Sequence, residues 1–288
     1  MNASKPIAVA TTDNAQSQAA VRWAARRAER LKLPLVIIHV VDDRWVTEPI
    51  PWANSLLKDG EQLLENTARR VRADHQLEVT TKLLEGGVAG KLGQYSAEVS
   101  MLVVGSGSIH LGGSLTDRAL QIAATADCPV AVIGAHEGDG RRGVVVGVDG
   151  SEESIQAVAF AAAEADRDGQ ELVVVYAVHT PNHLLDEGLL PRTLNQALEE
   201  EERVVLSETV SGVGQDFPDL TVRKVLETER EPAAALLHAA ANATLLVVGS
   251  RGRGGFKRLL LGSTAHGVLH HLPCPTVVTP LHHIKHLD

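Results

Sequence analysis

Residues 157–178 read AVAFAAAEADRDGQELVVVYAV, a helical pattern of alanines followed by an unbroken aliphatic run. Residues 20–41 read AVRWAARRAERLKLPLVIIHVV and repeat the same order at a fixed offset. A strand that is apolar along its whole length is typical of a parallel sheet with both faces covered. The repeat of helix and strand therefore predicts two copies of one α/β unit within the chain.

Two further pairs of matching segments extend the repeat over both halves. MLVVGSGS at 101–108 matches LLVVGSRG at 245–252, and ADCPVAVI at 126–133 matches LPCPTVVT at 272–279. The predicted strands of the second half are the apolar runs 143–149, 171–178, 220–227, 244–250 and 275–280. Helical patterns separate them, which predicts a doubly wound, Rossmann-like domain with a five-stranded parallel sheet in each half.

The boundaries of the two halves follow from composition. A polar, glycine-bearing stretch at 136–142 is the predicted linker between a first domain at 1–135 and a second at 143–288. Cys128 and Cys274 each precede a proline and an apolar run. We expect them to be small buried residues at the start of the last strand of each repeat. A disulfide, a metal pair or a catalytic thiol is the alternative.

Charge and hydropathy limit the possible partners. The net charge of −9 argues against a nucleic-acid partner, because nucleic-acid binders usually carry a basic surplus. No apolar run reaches the roughly 20 residues that cross a bilayer, and the start of the sequence lacks the pattern of a signal peptide. We therefore expect a cytoplasmic protein that does not bind membranes.

A glycine-rich, basic segment follows the predicted fourth strand of the second half, VVGSRGRGGFKRLLLGSTAHG at 247–267. Its candidate ligand-binding positions are Gly249, Arg251, Gly252, Gly262, Ser263 and Thr264. Glycine lets backbone N–H groups turn toward a ligand, while Ser263 and Thr264 can cap the next helix, whose first N–H groups favour an anion. The spacing fits neither a P-loop nor the dinucleotide fingerprint. A merely flexible connection is the alternative.

Asp149 ends the predicted first strand of the second half. Its carboxylate could reach a ribose hydroxyl or a divalent cation, but it could equally only cap the helix that begins near Ser151. In the first half, Asp13 is the predicted counterpart of Asp149.

With these residues, the sequence resembles the universal stress protein family in its tandem, ATP-binding form. Members carry Gly-x2-Gly-x9-Gly-Ser/Thr after the fourth strand, which Gly249, Gly252, Gly262 and Ser263 match, and an aspartate after the first strand, which Asp149 matches. The resemblance implies an adenine nucleotide α-hydrolase-like fold with ATP as ligand and Mg²⁺ or Mn²⁺ near the phosphates and Asp149.

The same resemblance assigns further contacts to the nucleotide. The main chain of Ala177 would pair with adenine, and Gly147 and Val148 would line the pocket. Thr264 would offer its N–H to a phosphate. These positions complete the predicted binding site, and no catalytic residue is assigned.

The first half departs from the family pattern. Ser108 stands where the second glycine belongs, and alignment on the cysteines puts Asp117 at the position of Ser263. Because an aspartate repels phosphate, we expect one nucleotide per chain, held in the second half.

The resulting hypothesis is a stress-response regulatory protein whose nucleotide state is read by an unidentified protein partner. A slow ATP hydrolase and a ligand-free interaction module are the alternatives. An adenylating ligase is disfavoured, since Asp149-Gly150-Ser151 replaces the Ser-Gly-Gly-x-Asp-Ser of such enzymes. His266 and His270 share a helix face, as a metal pair or as ordinary core or surface residues.

The repeat also predicts how the halves associate. We expect an intramolecular pseudo-dimer in which the last strands, 129–134 and 275–280, pair antiparallel and bury each other's edges. Further association into a homodimer is compatible with this arrangement.

Overall fold

The computed structural model describes residues 4–42, 53–107, 115–134, 140–178, 192–253 and 261–280. The chain divides into two compact units, Met1–Glu137 and Gly138–Asp288. None of the helices described within these ranges is long and apolar enough to cross a membrane.

The first unit is built on a parallel sheet. Its strands are β1 (Ile7–Ala10), β2 (Leu35–Val41), β3 (Val79–Glu85), β4 (Met101–Gly105) and β5 (Val130–Ile133). Its helices are α1 (Ala15–Leu31), α2 (Ala53–Asp74), α3 (Val88–Tyr95) and α4 (Leu115–Thr125), with a 3₁₀ turn at Ser96–Glu98. The strand order is β3-β2-β1-β4-β5, and every neighbouring pair is parallel.

The second unit repeats this architecture. Its strands are β6 (Val144–Val148), β7 (Leu172–Ala177), β8 (Val222–Glu227), β9 (Leu245–Gly249) and β10 (Thr276–Thr279). Its helices are α5 (Glu152–Arg167), α6 (Arg192–Thr209), α7 (Val213–Asp216), α8 (Pro232–Ala239) and α9 (Ser263–His271). The parallel order β8-β7-β6-β9-β10 confirms the predicted doubly wound fold with five strands in each half.

This strand order locates a crevice in each unit. The chain leaves β6 toward β7 on one side, whereas β9 lies on the other side of β6. Ligands of open α/β sheets bind at such a switch point, beyond the carboxyl ends of the strands. In the first unit the corresponding point lies between β1 and β4.

The cores are aliphatic, and both cysteines belong to them. Cys128 precedes β5 and Cys274 precedes β10, and both are buried free thiols. Burial raises the pKa of each thiol to about 12, which leaves it uncharged and unreactive near neutral pH. The prediction of small buried residues at the start of the last strands is confirmed.

Residues of the predicted linker contact the second unit. The Arg141 side chain donates hydrogen bonds to the carbonyls of Ala241, Ala243 and Pro273, and the Arg142 N–H donates to the Asn242 carbonyl. These two residues therefore dock the start of β6 onto the turns that precede β9 and β10.

We predict that Gly105→Ala destabilises the first unit by roughly 1–3 kcal/mol, the scale of overpacking. A β-carbon at Gly105 would lie 2.8–2.9 Å from backbone atoms of Gln16 and Ser17, which cannot rotate away. The matched control is Gly90→Ala in α3, where a β-carbon meets nothing within 4 Å. Urea unfolding should show no loss for Gly90→Ala, and equal stability of the two variants would contradict the prediction.

Candidate functional site

A cavity of about 520 Å³ occupies the switch point of the second unit, bounded by the ends of β6, β7 and β9 and by α8 and α9. Every predicted site residue lines it: Gly147, Val148, Asp149, Ala177, Gly249, Arg251, Gly252, Gly262, Ser263 and Thr264. Separate stretches of sequence thus converge on one crevice. Its volume falls in the range of roughly 300–1,000 Å³ that is typical of small-molecule sites.

The Asp149 carboxylate ties the loop after β6 to the loop after β9. Its Oδ1 accepts from the Ser151 N–H at 3.1 Å, the Ser151 hydroxyl at 2.5 Å and the Ser154 hydroxyl. Its Oδ2 accepts from the Arg253 N–H at 2.6 Å. Asp149 therefore does not itself cap α5. Ser151 is the N-cap, and its hydroxyl accepts from the Ser154 N–H.

These hydrogen bonds set the charge of Asp149. Burial raises the pKa of the carboxyl group, but the donors on Ser151, Ser154 and Arg253 together outweigh it, and the net pKa is lowered. Asp149 is thus an anion at neutral pH. Oδ2 keeps acceptor capacity, because a carboxylate oxygen can accept more than one hydrogen bond.

The hydrogen bond from the Arg253 N–H to the Asp149 carboxylate requires glycine at position 252. A β-carbon at Gly252 would overlap Asp149 Oδ2, the same oxygen that accepts from the Arg253 N–H. Gly150, on the other side of the tie, has a φ of +74°, which favours glycine. Its Cα is covered by the Arg253 guanidinium and by Val205 of α6, each 2.5 Å from the position of an added β-carbon.

The two ends of the glycine segment meet at the start of α9. The Gly262 N–H donates to the Ser250 carbonyl at 2.8 Å, and Gly262 is the N-cap of α9 without a side-chain capping bond. The prediction that Ser263 and Thr264 cap the helix is therefore wrong, because both lie inside its first turn. The first intrahelical bond is donated by the His266 N–H to Gly262, so the N–H groups of Ser263, Thr264 and Ala265 have no acceptor within the helix.

Two further residues contribute to the site: Arg253 belongs to the basic, glycine-rich segment that the sequence predicts to attract an anion, whereas Tyr176 is not among the predicted residues. Arg253 Nη1 lies 3.3 Å from the Tyr176 hydroxyl, and both residues line the cavity. Burial and the neighbouring Glu202 carboxylate raise the pKa of Tyr176, which keeps its hydroxyl protonated. Tyr176 sits inside a valine-rich strand, so only its polar tip among apolar neighbours could have signalled it.

One wall of the cavity is apolar. Val175 and Ala177 of β7 and Pro232 and Leu236 of α8 belong to it. Gly147 allows this packing, since a β-carbon there would lie 2.6 Å from Leu236 Cδ1. The wall can accept a flat apolar or aromatic group.

No group of three His, Cys, Asp or Glu side chains that could hold a metal ion occurs within the described ranges. His266 and His270 are both exposed on α9, with ring centroids 4.5 Å apart. They are surface residues in contact with each other, and Asp149 is the acidic residue among the described ones that line the cavity.

The first unit has a smaller cavity of about 160 Å³ at the corresponding point. Here the predicted match of Asp13 to Asp149 is wrong. The Thr12 N–H donates to Ser17 Oγ as the Asp149 N–H donates to Ser154 Oγ, and Asn14 and Ser151 are the equivalent N-caps. Thr12 is therefore the counterpart of Asp149, and the first unit has no carboxylate at that position.

The other two predicted departures concern the loop before α4. Ser108 lies outside the described residues. Asp117 lies in the first turn of α4, which begins at Leu115, whereas Ser263 is the first residue of α9. Both helices end three residues before the buried cysteine, so α4 is two residues longer at its start.

Fold and cavity together define a class: a tandem, doubly wound α/β protein with a crevice at the switch point of its sheet. The model of the universal stress protein family matches residues 3–134 and 140–280. The chain therefore belongs to the universal stress protein family, with two tandem domains.

Similar proteins agree with this membership. Universal stress protein Rv2005c of Mycobacterium tuberculosis is 33% identical over 292 residues, which cover 94% of this chain and 96% of the relative. A universal stress protein of Mycolicibacterium smegmatis is 34% identical over 295 residues, with the same coverage. A solved universal stress protein from Archaeoglobus fulgidus has a TM-score of 0.72 at 18% identity, covers 96% of both chains and supports the fold.

We predict that Asp149→Asn lowers the free energy of unfolding at pH 7 by roughly 1 kcal/mol, the scale of hydrogen bonds to a partly exposed charge. Because folding lowers the pKa of Asp149, its stabilisation is complete above the unfolded pKa of about 4 and is lost as pH falls through the folded value. Urea unfolding of both proteins should therefore show a difference at pH 7 that shrinks below about pH 4.

The matched control is Asp166→Asn, on the exposed face of α5, which should change stability little at either pH. A difference between wild type and Asp149→Asn that stays constant from pH 7 to pH 3 would contradict the role given to the carboxylate.

Proposed function

We propose that this chain is a cytoplasmic, ATP-binding regulatory protein of the universal stress family, which holds one ATP molecule in the cavity of its second domain. The observation that carries the proposal is the convergence of three unlike surfaces on one crevice. These are the N–H groups of the first turn of α9, the arginines Arg251 and Arg253, and the apolar wall of β7 and α8. A nucleotide has a matching anionic end and a flat, apolar end.

The phosphates would lie at the start of α9. The N–H groups of Ser263 and Thr264, which have no acceptor within the helix, and the positive end of the helix dipole favour an anion there. Arg251 is exposed beside them and can pair with phosphate oxygens. These residues bind and orient the phosphates by position and charge.

The adenosine part would lie along β6 and β7. Adenine would stack between the side chains of Ala177, Pro232 and Leu236, with the Ala177 main chain along its edge. The remaining acceptor capacity of Asp149 Oδ2 suits a ribose hydroxyl. Val148 and Gly147 would form the floor of the pocket.

Mg²⁺ or Mn²⁺ would enter with the phosphates. Asp149 can supply at most one protein ligand beside the hydrogen bonds it already accepts, and no cluster of three metal-ligating side chains occurs among the described residues. Mg²⁺ is commonly held by one or two carboxylates together with phosphates and waters, so this donor set is compatible with it. The cation would neutralise phosphate charge.

A regulatory role is favoured over an enzyme. Rapid phosphoryl transfer to water needs a residue that positions the attacking water and a cation on the γ-phosphate. Arg251 and Arg253 can serve as the cation, but Asp149, the one carboxylate among the described residues that line the cavity, is held by Ser151, Ser154 and Arg253. A protein partner would then distinguish the nucleotide-bound form of the chain from the nucleotide-free form.

We predict that isothermal titration calorimetry finds one ATP per chain, and that Gly252→Ala weakens binding at least about tenfold, the effect of losing one charge-assisted hydrogen bond. The added β-carbon would displace Asp149 from the Arg253 N–H and move the loop that faces the phosphates.

Two variants are matched controls. Gly214→Ala adds the same methyl group in the second unit where nothing lies within 4 Å, and Ser108→Ala changes the corresponding loop of the first half. Both should bind ATP as wild type does. Two sites per chain, or loss of binding from Ser108→Ala alone, would overturn the assignment of the nucleotide to the second domain.

We also predict that ATP hydrolysis is far slower than the roughly 10 per second that is the median turnover of enzymes. The cavity offers N–H groups and arginines, whereas its carboxylate is engaged in structural hydrogen bonds. Phosphate release measured with saturating ATP and Mg²⁺ tests this, with Gly252→Ala as the background control. Turnover near the enzyme median that Gly252→Ala abolishes would favour the hydrolase alternative.

A further inference from the structure

The cavity of the first domain differs from its counterpart in size and lining. The pairs Ile7–Leu35 and Val144–Leu172 have the same register, so Ala10 takes the place of Gly147 and Val40 that of Ala177. The first-domain cavity has a volume of about 160 Å³, against about 520 Å³ in the second domain, and the larger side chains at these two positions account for part of the difference. The smaller volume is below the size of typical nucleotide pockets but large enough for about five waters or a small organic molecule.

Most of the lining is apolar. Its apolar side chains include Ile38, Val40, Leu92, Val104 and Ile122. Such a lining favours a branched aliphatic group over water or a free inorganic ion, because burial of apolar surface is the main source of affinity in small cavities.

The polar groups at the end of β1 are already paired with one another. Ser17 Oγ accepts from the Thr12 N–H at 2.7 Å and lies 3.0 Å from Thr11 Oγ1. Asn14 Oδ1 accepts from the Ser17 N–H, and Asn14 Nδ2 donates to Thr12 Oγ1. Much of the hydrogen-bonding capacity of these groups is used within this network, and none of them carries a charge that could pair with an anion.

Arg118 is the exception. It lies in the first turn of α4, lines the cavity and is half-buried. Within the described part of the chain, its guanidinium group has neither a hydrogen bond nor an ion pair, and Asp42, which also lines the cavity, is engaged in an interaction of its own. A half-buried charge without a partner is costly, and an anion in the cavity would remove that cost.

The two domains also differ in the residue at the position of Arg118. Arg118 and Thr264 each lie ten residues before the buried cysteine of their domain and each line their cavity. The first domain thus places a permanent cation where the second has a hydroxyl side chain, and has Thr12 where the second has the Asp149 carboxylate.

We propose that the first domain is a second, distinct binding site, which takes a small branched aliphatic monocarboxylate with its carboxylate on Arg118 and its hydrocarbon part among Ile38, Val40 and Ile122. The planar guanidinium can bind a carboxylate through two parallel hydrogen bonds, whereas a free phosphate would leave the apolar lining unmatched. The site does not depend on nucleotide binding in the second domain.

The test is a titration of the full chain, labelled at isoleucine δ1 methyl groups, with 3-methylbutanoate. The methyl signals of Ile38 and Ile122 should shift, with a dissociation constant on the order of 1 mM or tighter, while exposed Ile155 of the second domain should not. The neutral isostere 3-methylbutan-1-ol and inorganic phosphate should each bind at least about tenfold more weakly. The alcohol lacks the carboxylate that pairs with Arg118, and phosphate lacks the hydrocarbon part that contacts the apolar lining.

Arg118→Leu should weaken 3-methylbutanoate at least about tenfold and reduce its preference over the alcohol, whereas Arg118→Lys should retain part of that preference. Arg69→Leu, an exposed change on α2, is the matched control and should bind as wild type does. The methyl spectra also show whether each variant is folded, and the comparison of acid with alcohol on wild type needs no variant.

Three results would overturn the proposal. The first is the absence of any shift of Ile38 and Ile122 with 3-methylbutanoate, and the second is equal affinity for the acid and the alcohol on wild type. The third is a shift of the same two signals by ATP at lower concentration than by the acid, which would make the first domain a nucleotide site instead.

Discussion

The candidate site of the second domain depends on one carboxylate. Asp149 joins the loop after β6, through Ser151 and Ser154, to the loop after β9, through the Arg253 N–H. These loops belong to neighbouring strands that are far apart in sequence, so the carboxylate joins parts of the site that local sequence does not bring together. Gly252 follows from the same contact, because there is no room for a β-carbon beside the carboxylate.

The hydrogen bonds of Asp149 also explain why two domains with the same fold have different cavities. Both retain the serine that accepts from the backbone N–H after the first strand, Ser17 and Ser154, so the start of the first helix is alike. Only the second domain has the aspartate that reaches across to the glycine loop. In the first domain the neighbouring positions carry larger apolar side chains and Arg118, and Thr12 stands in place of Asp149, which leaves a smaller and more apolar cavity.

Much of the fold and of the second-domain site could be predicted from sequence, for physical reasons. Buried parallel strands are continuous aliphatic runs, and the internal repeat locates them twice. The glycines could be predicted because a neighbouring group leaves no room for a β-carbon. At Gly252 this group is the Asp149 carboxylate, and at Gly147 it is the Leu236 side chain. The contact of Arg253 with Tyr176 could not, since it joins residues 77 positions apart and neither belongs to a recurrent spacing.

The two incorrect predictions, for Asp13 and for Ser263, have a common cause, because each places a role one residue too late in the chain. Residue type favours Asp13 as the counterpart of Asp149, but the hydrogen bond to Ser17 assigns that position to Thr12, one residue earlier. The capping propensity of serine favours Ser263 as the N-cap of α9, but the Gly262 N–H donates to the Ser250 carbonyl and Gly262 is the N-cap, one residue earlier. In both cases a tertiary hydrogen bond outweighs a local preference, and in the first domain the shift of one residue makes Thr12, not Asp13, line the cavity.

The most direct test of this account is an experimental structure of the chain crystallised with a non-hydrolysable ATP analogue and Mg²⁺. The expected result is nucleotide density in the second domain alone. The phosphate oxygens should contact the N–H groups of Ser263 and Thr264, and the hydrogen bond from the Arg253 N–H to Asp149 should be intact. Nucleotide in the first-domain cavity, or phosphates bound away from the start of α9 with the loops after β6 and β9 separated, would contradict it.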